Sequence, residues 1–482
     1  MAVLAKKTFV PALLHEMETS TNVRDDRLRR PILGGGPMIC DEADVAPSAA
    51  RIEGSPVVAH PQPRPADGPR WRWLLPGPGA VLFLLLLACL LCRVVWLSKP
   101  VGVLIFDEVY YVNAARVMLG WPVPPGAPYA EQPTGRDPNQ EHPPLGKALI
   151  AAFMRVLGDD ALGWRLPSVV AGTAAVALLF GLVRAGGGDP WLGLLAAGVF
   201  GFDNLAFVHS RIASLDMMLV AFLLLGAWCA LRGWPVLAGM ACALAALVKI
   251  NGLFGLAALV LTEVVLAAQA WRGRCARPPD HLRAAALLVI GCIPLWLGGL
   301  WLLDACLGTS ATPWAHVQYI LQYGLSLTRV AGPLGQESPP WQWPLNEIPM
   351  TYLRTDQLVM VNNQVVASEP TIFFRGAMNP FVIGAAPPGI AYALWRAWRC
   401  QDRLALWAVV WVVVTYLPFF PLVMIEHRVS YLFYFLPTLP AVAVGLALLM
   451  RRGGLPRLVQ CGYLGAILLG FMAYFPFRAI PS

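Results

Sequence analysis

Apolar runs of nearly membrane-spanning length recur from residue 79 onward, and this recurrence restricts the fold more than any other feature of the sequence. An α-helix needs about 20 mostly apolar residues to cross a bilayer. Of the 482 residues, 57% are hydrophobic and only 13% are charged, whereas soluble domains carry about 25% charged residues. Too little polar sequence remains to cover several soluble domains, so we predict an all-α polytopic membrane protein.

The apolar runs predict a bundle of eleven transmembrane helices, and the boundary between the fifth and the sixth is the least sharply defined. The predicted spans are 79–97, 164–184, 190–208, 214–232, 235–250, 252–271, 284–303, 379–396, 404–424, 430–449 and 456–475.

The distribution of arginines predicts which side of the membrane each connecting segment occupies. Lys and Arg are enriched in inner segments of membrane proteins, and here they cluster in residues 1–78, in the 272–283 segment and in alternate short turns. The net charge of +8 therefore reflects topology, and a nucleic-acid partner is not indicated. Residues 1–78 are polar, become rich in proline and lack an apolar signal-peptide core, so we interpret them as a mostly disordered inner tail before a membrane domain at 79–482.

Two predicted outer segments, 98–163 and 304–378, are too long to be simple connections. The first is expected to contain interfacial helices at 107–119 and 144–157. The second carries Trp314, Trp341 and Trp343, which suit a membrane–water boundary.

Polar residues that could take part in catalysis or binding gather on the predicted outer side, which indicates a site that opens outward. The candidates are Asp107, Glu108, Glu141, His142, Arg165, Arg211, Asp216, Lys249 and Arg428.

Several of these candidates also have structural explanations. Arg165 could extend from a helix end towards lipid headgroups, Lys249 could anchor an interface, and His142, which precedes two prolines, could be a turn residue. Arg211 and Asp216 could form an ion pair on one helix face.

The adjacent carboxylates Asp107 and Glu108 are harder to explain structurally, because neighbouring like charges repel unless a cation or substrate compensates them. A carboxylate can accept the proton of an attacking hydroxyl, and arginine suits phosphate. Residue types thus favour glycosyl transfer from a polyprenyl phosphate sugar. A transporter is the alternative of another class, but it would place charges near the membrane midplane, whereas these lie at outer ends of spans.

The motifs resemble those of the protein O-mannosyltransferases, a family of the GT-C class of membrane glycosyltransferases. The matching segments are Phe106-Asp107-Glu108-Val109-Tyr110, His142-Pro143-Pro144-Leu145-Gly146-Lys147, Trp164-Arg165-Leu166-Pro167, Phe202-Asp203-Asn204, Ser210-Arg211-Ile212-Ala213-Ser214-Leu215-Asp216, Val248-Lys249-Ile250-Asn251-Gly252-Leu253-Phe254, Ser338-Pro339-Pro340-Trp341-Gln342-Trp343-Pro344, Asn379-Pro380 and a final run from His427 to Pro437.

The resemblance implies a role for some of these residues. Asp107 matches the catalytic base, Glu108 and Glu141 match supporting acidic positions near the acceptor, and Arg165 matches an arginine that contacts the lipid phosphate. The remaining matches are expected to line the substrate or to shape the bundle; they include His142, Arg211, Asp216, Lys249 and Arg428.

The implied activity is inverting transfer of mannose from a polyprenyl phosphate to Ser/Thr hydroxyls of a polypeptide, at the outer face of a bacterial plasma membrane. The alternative within this class is transfer to a lipid or polysaccharide. We expect no cofactor and find no metal-type ligand spacing, while the need for a divalent cation stays open. The segment 304–378 has no room for the β-trefoil of eukaryotic members, and Phe433-Tyr434-Phe435 stands where many of them have Tyr-His-Tyr.

Overall fold

The computed structural model describes residues 77–273, 278–328, 335–361 and 364–478. The predicted inner tail lies almost wholly outside these residues. The helices are α1 Pro78–Val94, α2 Glu108–Leu119, α3 Leu145–Leu157, α4 Ala161–Ala185, α5 Pro190–Gly201, α6 Asn204–His209, α7 Leu215–Leu231, α8 Pro235–Val248, α9 Gly252–Trp271, α10 Pro278–Leu307, α11 Pro313–Ser326, α12 Pro380–Gly384, α13 Ala386–Arg399, α14 Arg403–Tyr416, α15 Phe419–Met424, α16 Leu439–Arg452 and α17 Arg457–Ala473, with 3₁₀ turns at Pro340–Leu345 and Leu432–Thr438 and strands β1 Met350–Val361 and β2 Gln364–Gly376.

The helical bundle confirms the predicted fold class. Within the described residues, five helical stretches are long and apolar enough to cross a membrane: Ala161–Ala185, Gly252–Trp271, Pro278–Leu307, Arg403–Met424 and Leu432–Arg452. Shorter apolar helices, α1, α5, α7, α8 and α17, stand at other predicted spans. The predicted span 379–396 is instead divided into α12 and α13. The chain is an integral membrane protein.

Small residues bring the helices of the bundle close together. A side-chain carbon at Gly239 of α8 would lie 2.2 Å from the Leu288 carbonyl oxygen, and one at Gly291 of α10 would lie 2.3 Å from that of Val236. Glycine at both positions therefore permits direct backbone contact between α8 and α10, as is usual where membrane helices pack. A side-chain carbon at Gly252 would lie 2.2 Å from the Ala246 backbone nitrogen, which explains the tight turn between α8 and α9.

The predicted interfacial helices are present as α2 and α3, but the second long outer segment contains an element that the sequence analysis missed. Strands β1 and β2 form an antiparallel hairpin in which Met350 pairs with Gly376 and Val361 with Gln364. The far edge of β2 pairs with the end of the described chain, where Phe373 N donates to Pro476 O at 2.7 Å. The hairpin is therefore fixed to the bundle at its base.

The tryptophans of the second outer segment do not all belong to an interfacial belt. Trp314 and Trp341 are exposed, but Trp343 is fully buried, and its indole nitrogen donates to Ser338 O at 3.0 Å. The interfacial interpretation of Trp343 was wrong because a 3₁₀ turn directs alternate members of the Trp-Gln-Trp run to opposite surroundings.

Candidate active site

A cavity of about 800 Å³ lies where the two long outer segments meet. This size is within the range of small-molecule sites. The predicted residues that line it are Asp107, Glu141, His142, Lys249 and Arg428. The predicted residues that do not line it are Glu108, Arg165, Arg211 and Asp216.

The turn before α2 presents Asp107 to the cavity. Phe106 has a φ of 56°, a left-handed conformation that strains a bulky residue. Its ring is held by stacking on Tyr352 of β1, with the ring centroids 4.3 Å apart. Asp107 occupies the N-cap position of α2, but its side chain caps no backbone N–H. The carboxylate therefore stays available to a ligand, although Asp is usually placed at this position for capping.

Burial raises the pKa of the Asp107 carboxyl to about 7, although the nearby Lys249 ammonium opposes this shift. The next largest effect comes from Asp216, whose like charge raises the pKa further, and a hydrogen bond from Tyr111 lowers it. A carboxyl that titrates near neutral pH is partly ionised at that pH, and its ionised form can accept a proton from a hydroxyl.

Glu108, the neighbour of Asp107, points away from the cavity and has a full set of partners. It is 1% exposed. Its Oε1 accepts from Arg165 Nε at 2.8 Å and from Ala213 N at 2.7 Å. Its Oε2 accepts from Arg165 Nη2 at 2.8 Å and from Ile105 N at 2.7 Å. Four hydrogen bonds occupy the carboxylate, so Glu108 holds the turn in place, and Asp107 is the member of the pair that lines the cavity.

Arg165 is held in the same buried layer and does not reach the cavity. Besides its two bonds to Glu108, it donates from Nη1 to Leu97 O at 2.7 Å and from Nη2 to Val103 O at 2.8 Å. All three nitrogens of the guanidinium thus donate to protein oxygens, and the side chain is 1% exposed. This geometry does not support the predicted contact with a lipid phosphate, and the same protein partners occupy the nitrogens that the alternative contact with lipid headgroups would use.

Arg211 also binds the backbone and does not line the cavity. Its Nη1 and Nη2 donate at 2.6 Å to the carbonyl oxygens of Cys92 and Val95, near the end of α1. The expected ion pair with Asp216 does not form, because Arg211 lies in the turn before α7 while Asp216 is inside that helix. Asp216 pairs instead with Lys249, at 2.7 Å from Nζ to Oδ1.

Two cations from separate parts of the chain line the cavity. Lys249, in the turn between α8 and α9, is anchored by Asp216, and its Nζ lies 5.6 Å from the centroid of the Phe433 ring. Arg428 donates from Nε to Gly324 O at 2.7 Å, and its guanidinium lies 5.8 Å from the Tyr434 ring centroid. Each side chain is fixed by one hydrogen bond at a position where further donors can meet an anionic ligand.

A buried lysine shapes the loop that carries Glu141 and His142. Lys147 Nζ lies 2.6 Å from Asp137 Oδ2 and donates at 2.8 Å to His142 O, and it also contacts Asn139. Burial lowers the pKa of His142 well below its usual value, and neighbouring cations lower it further. Its imidazole is therefore neutral. Burial also raises the pKa of the Glu141 carboxyl.

Several lining residues were missed by the sequence analysis. They include Tyr111, Tyr434, Gln336 and Thr351. Tyr111 stands four residues after Asp107, so helical spacing could have placed it on the same face. Gln336 and Thr351 belong to no recognised motif, and only the hairpin brings Thr351 to the cavity.

Comparison with known proteins agrees with this architecture. Residues 141–297 match the family model described as dolichyl-phosphate-mannose-protein mannosyltransferase. A polyprenol-phosphate-mannose–protein mannosyltransferase of Mycolicibacterium smegmatis is 24% identical, over 89% of this chain and 93% of that protein. The protein of the same name from Mycobacterium tuberculosis is 26% identical, over 70% of this chain and 76% of its own length.

The fold is also similar to a solved structure. The S. cerevisiae protein O-mannosyltransferase Pmt1-Pmt2 complex bound to the sugar donor has a chain that superposes with a TM-score of 0.63 at 12% identity, covering 84% of this chain and 90% of that one. The motifs and the family model over residues 141–297 show similarity to the protein O-mannosyltransferases, and the fold is that of a GT-C membrane glycosyltransferase.

Proposed function

We propose that this protein transfers mannose from a polyprenyl phosphate to a Ser or Thr hydroxyl of a polypeptide, with inversion at the anomeric carbon. The observation that carries the proposal is the placement of Asp107 in the same cavity as the cations Lys249 and Arg428. A base and a phosphate-binding pair are the two functions that such a transfer requires. The names of the relatives support the donor and the acceptor class.

Asp107 acts as the general base in this mechanism. Its carboxylate accepts the acceptor hydroxyl proton while that oxygen forms a bond to the anomeric carbon. The bond from this carbon to the phosphate oxygen breaks on the opposite face, and its electron pair leaves with the lipid phosphate. General base catalysis of this kind contributes roughly 10²–10⁴-fold to a rate.

Lys249 and Arg428 bind the donor phosphate and stabilise the charge that develops on it as the sugar departs. In this proposal they take the phosphate-binding role that the resemblance implied for Arg165. Preorganised charge of this kind is commonly the largest contribution to catalysis. The Asp216 carboxylate keeps Lys249 charged and oriented without entering the cavity.

Glu141 and His142 are placed to position the acceptor. Both line the cavity on the side of the first outer segment. A neutral imidazole adds no positive charge that would compete with Lys249 for the phosphate, and it can donate and accept hydrogen bonds with a hydroxyl or amide.

The cavity is proposed to open on the outer face of a bacterial plasma membrane. The support is the clustering of arginines in the 272–283 segment and the alternate turns, together with the meeting of both long segments at one cavity. Impermeant thiol labelling of single cysteines in a cysteine-free background tests this arrangement. A cysteine in place of Glu131 should label from outside, whereas Cys275 should not; labelling of both from one side would contradict the topology.

Transfer from purified protein tests the function itself. Radiolabelled polyprenyl-phosphate-mannose should label a Ser/Thr-rich peptide, and a matched peptide with alanine at those positions should stay unlabelled. Label in a lipid or polysaccharide fraction, with none in the peptide, would favour the alternative acceptor. Parallel reactions with EDTA and with added Mg²⁺ determine whether a divalent cation is required.

A further inference from the structure

Tyr352 of the β-hairpin contacts two parts of the active site that are far apart in sequence. The residue is 7% exposed. Its hydroxyl lies 2.8 Å from Nε2 of His209, and its ring stacks on Phe106, the residue that precedes Asp107. A single side chain of the hairpin thus meets the turn that carries the proposed base and a second polar group behind the cavity.

The hydroxyl of Tyr352 begins a chain of polar contacts that ends at Lys249. His209 Nδ1 lies 3.2 Å from Ser214 Oγ and 3.6 Å from Asp216 Oδ2. The other oxygen of that carboxylate, Oδ1, accepts from Lys249 Nζ at 2.7 Å. Four side chains from β1, α6, α7 and the turn after α8 therefore connect the hairpin to a cation of the cavity.

The protonation of His209 determines which groups donate and which accept along this chain of contacts. Burial lowers the pKa of His209 to about 4, so its imidazole carries one proton at neutral pH. The Asp216 carboxylate lies 3.6 Å from Nδ1, beyond hydrogen-bond distance, but its negative charge favours the proton on Nδ1. With the proton there, Nε2 accepts from the Tyr352 hydroxyl. Removing the hydroxyl would leave Nε2 buried without its donor, which is costly in a low-dielectric interior.

The hairpin is built to hold the Tyr352 ring in place. Gly376 pairs with Met350 at the base of the hairpin, and a side-chain carbon at Gly376 would lie 2.4 Å from the Tyr352 hydroxyl oxygen. A glycine therefore leaves the space that the phenol occupies. Met350 and Thr351, which precede Tyr352, line the cavity.

We propose that Tyr352 is a positioning residue that orients Lys249 through His209 and Asp216, and orients Asp107 through its stacking on Phe106. This inference rests on the proposed function, since it assigns Lys249 to the phosphate and Asp107 to the hydroxyl. The inference assigns separate roles to the hydroxyl and the ring of Tyr352. The hydroxyl serves binding of the donor phosphate, and the ring serves the chemical step.

Two substitutions at this position separate the effects. Tyr352→Phe keeps the ring and removes the hydroxyl, so the Kd for polyprenyl phosphate alone should rise roughly 3- to 10-fold, the scale of one buried hydrogen bond. Tyr352→Leu also removes the stacking, so kcat for transfer should fall well below that of Tyr352→Phe. Tyr463→Phe is the matched control, because its hydroxyl donates to Phe381 O at 2.8 Å away from the cavity. The control should bind the lipid phosphate like the unmodified protein.

A double-mutant cycle distinguishes interruption of this chain from a general loss of folding. His209→Gln and Tyr352→Phe interrupt the same chain, so their combined effect on Kd should be smaller than the product of the single effects. Independent, multiplicative effects would overturn the inference, as would an unchanged Kd in Tyr352→Phe. Failure of the unmodified protein to bind polyprenyl phosphate or to transfer mannose would instead contradict the proposed function.

Discussion

The cavity wall and the packed layer behind it use the same residue types for different purposes. In the wall, Asp107, Lys249 and Arg428 keep part of their hydrogen-bonding capacity open to a ligand. In the layer behind, Glu108 and Arg165 satisfy each other and the backbone. Adjacent carboxylates and similar cations thus differ in role because of the partners they have, which residue type alone does not reveal.

The largest effect should come from Asp107→Asn in the wall. The substitution keeps the shape and removes the proton acceptor, so transfer should fall roughly 10²–10⁴-fold, while binding of polyprenyl phosphate persists. Steady-state transfer and lipid-phosphate binding are measured on the same preparation. Asp356→Asn, at an exposed ion pair of the hairpin, is the control and should retain full transfer.

Arg165→Ala in the packed layer should act mainly on folding. Loss of the guanidinium leaves Glu108 charged and buried, and breaking such a pair costs about 3–5 kcal/mol. The midpoint of thermal unfolding in detergent should fall strongly. Arg354→Ala, which breaks the exposed pair with Asp356 on the hairpin, should change that midpoint little. An Arg165→Ala protein with normal stability and impaired donor binding would instead support the predicted contact of Arg165 with the lipid phosphate.

Lys249→Ala and Arg428→Ala in the wall should instead weaken use of the donor. Loss of one hydrogen bond to a charged group raises the donor KM by roughly 10- to 100-fold. Arg428→Lys should recover only part of the loss, since an ammonium lacks the planar fork of the guanidinium. Arg451→Ala is the control, because Arg451 is exposed and pairs with Asp189. Equal losses in the control and the cavity variants would contradict a specific phosphate site.

The smallest expected effect is the pH dependence. With a raised pKa of about 7, Asp107 is mostly protonated below that value and ionised above it. The value of kcat/KM should therefore rise with pH, by roughly tenfold from pH 6 to pH 8, and then level off. The residual activity of Asp107→Asn should lack this rise. A wild-type profile that falls over this range would contradict a carboxylate base.

Much of this arrangement could be predicted from the sequence, and the reasons for the rest are physical. Apolar periodicity placed α2, α3 and most spans, because burial in a bilayer requires long apolar helices. The hairpin was missed because the segment around Tyr352 and Thr355 lies within 304–378. The tryptophans of that segment led us to interpret it as an interfacial loop, without testing it for strands. The sequence Asn362-Asn363 consists of a residue type that favours turns, a signal that went unused.

The roles of the arginines could not be ranked from the sequence. Arg165 and Arg428 both lie near predicted outer ends, but only the folded chain shows which one has its donors filled by carbonyls and a carboxylate. The different surroundings of Asp107 and Glu108 likewise could not be derived from residue type. The strained turn at Phe106 directs Asp107 towards the cavity and Glu108 towards Arg165.

A side-by-side measurement of Asp107→Asn and Glu108→Gln tests the central distinction between wall and layer most directly. Single-turnover transfer and the thermal unfolding midpoint are determined for both variants with saturating donor. The structure predicts that Asp107→Asn loses transfer and keeps its unfolding midpoint, whereas Glu108→Gln loses stability and keeps much of its transfer when folded. A stable Glu108→Gln protein without transfer, beside an active Asp107→Asn protein, would contradict the account and make Glu108 the base.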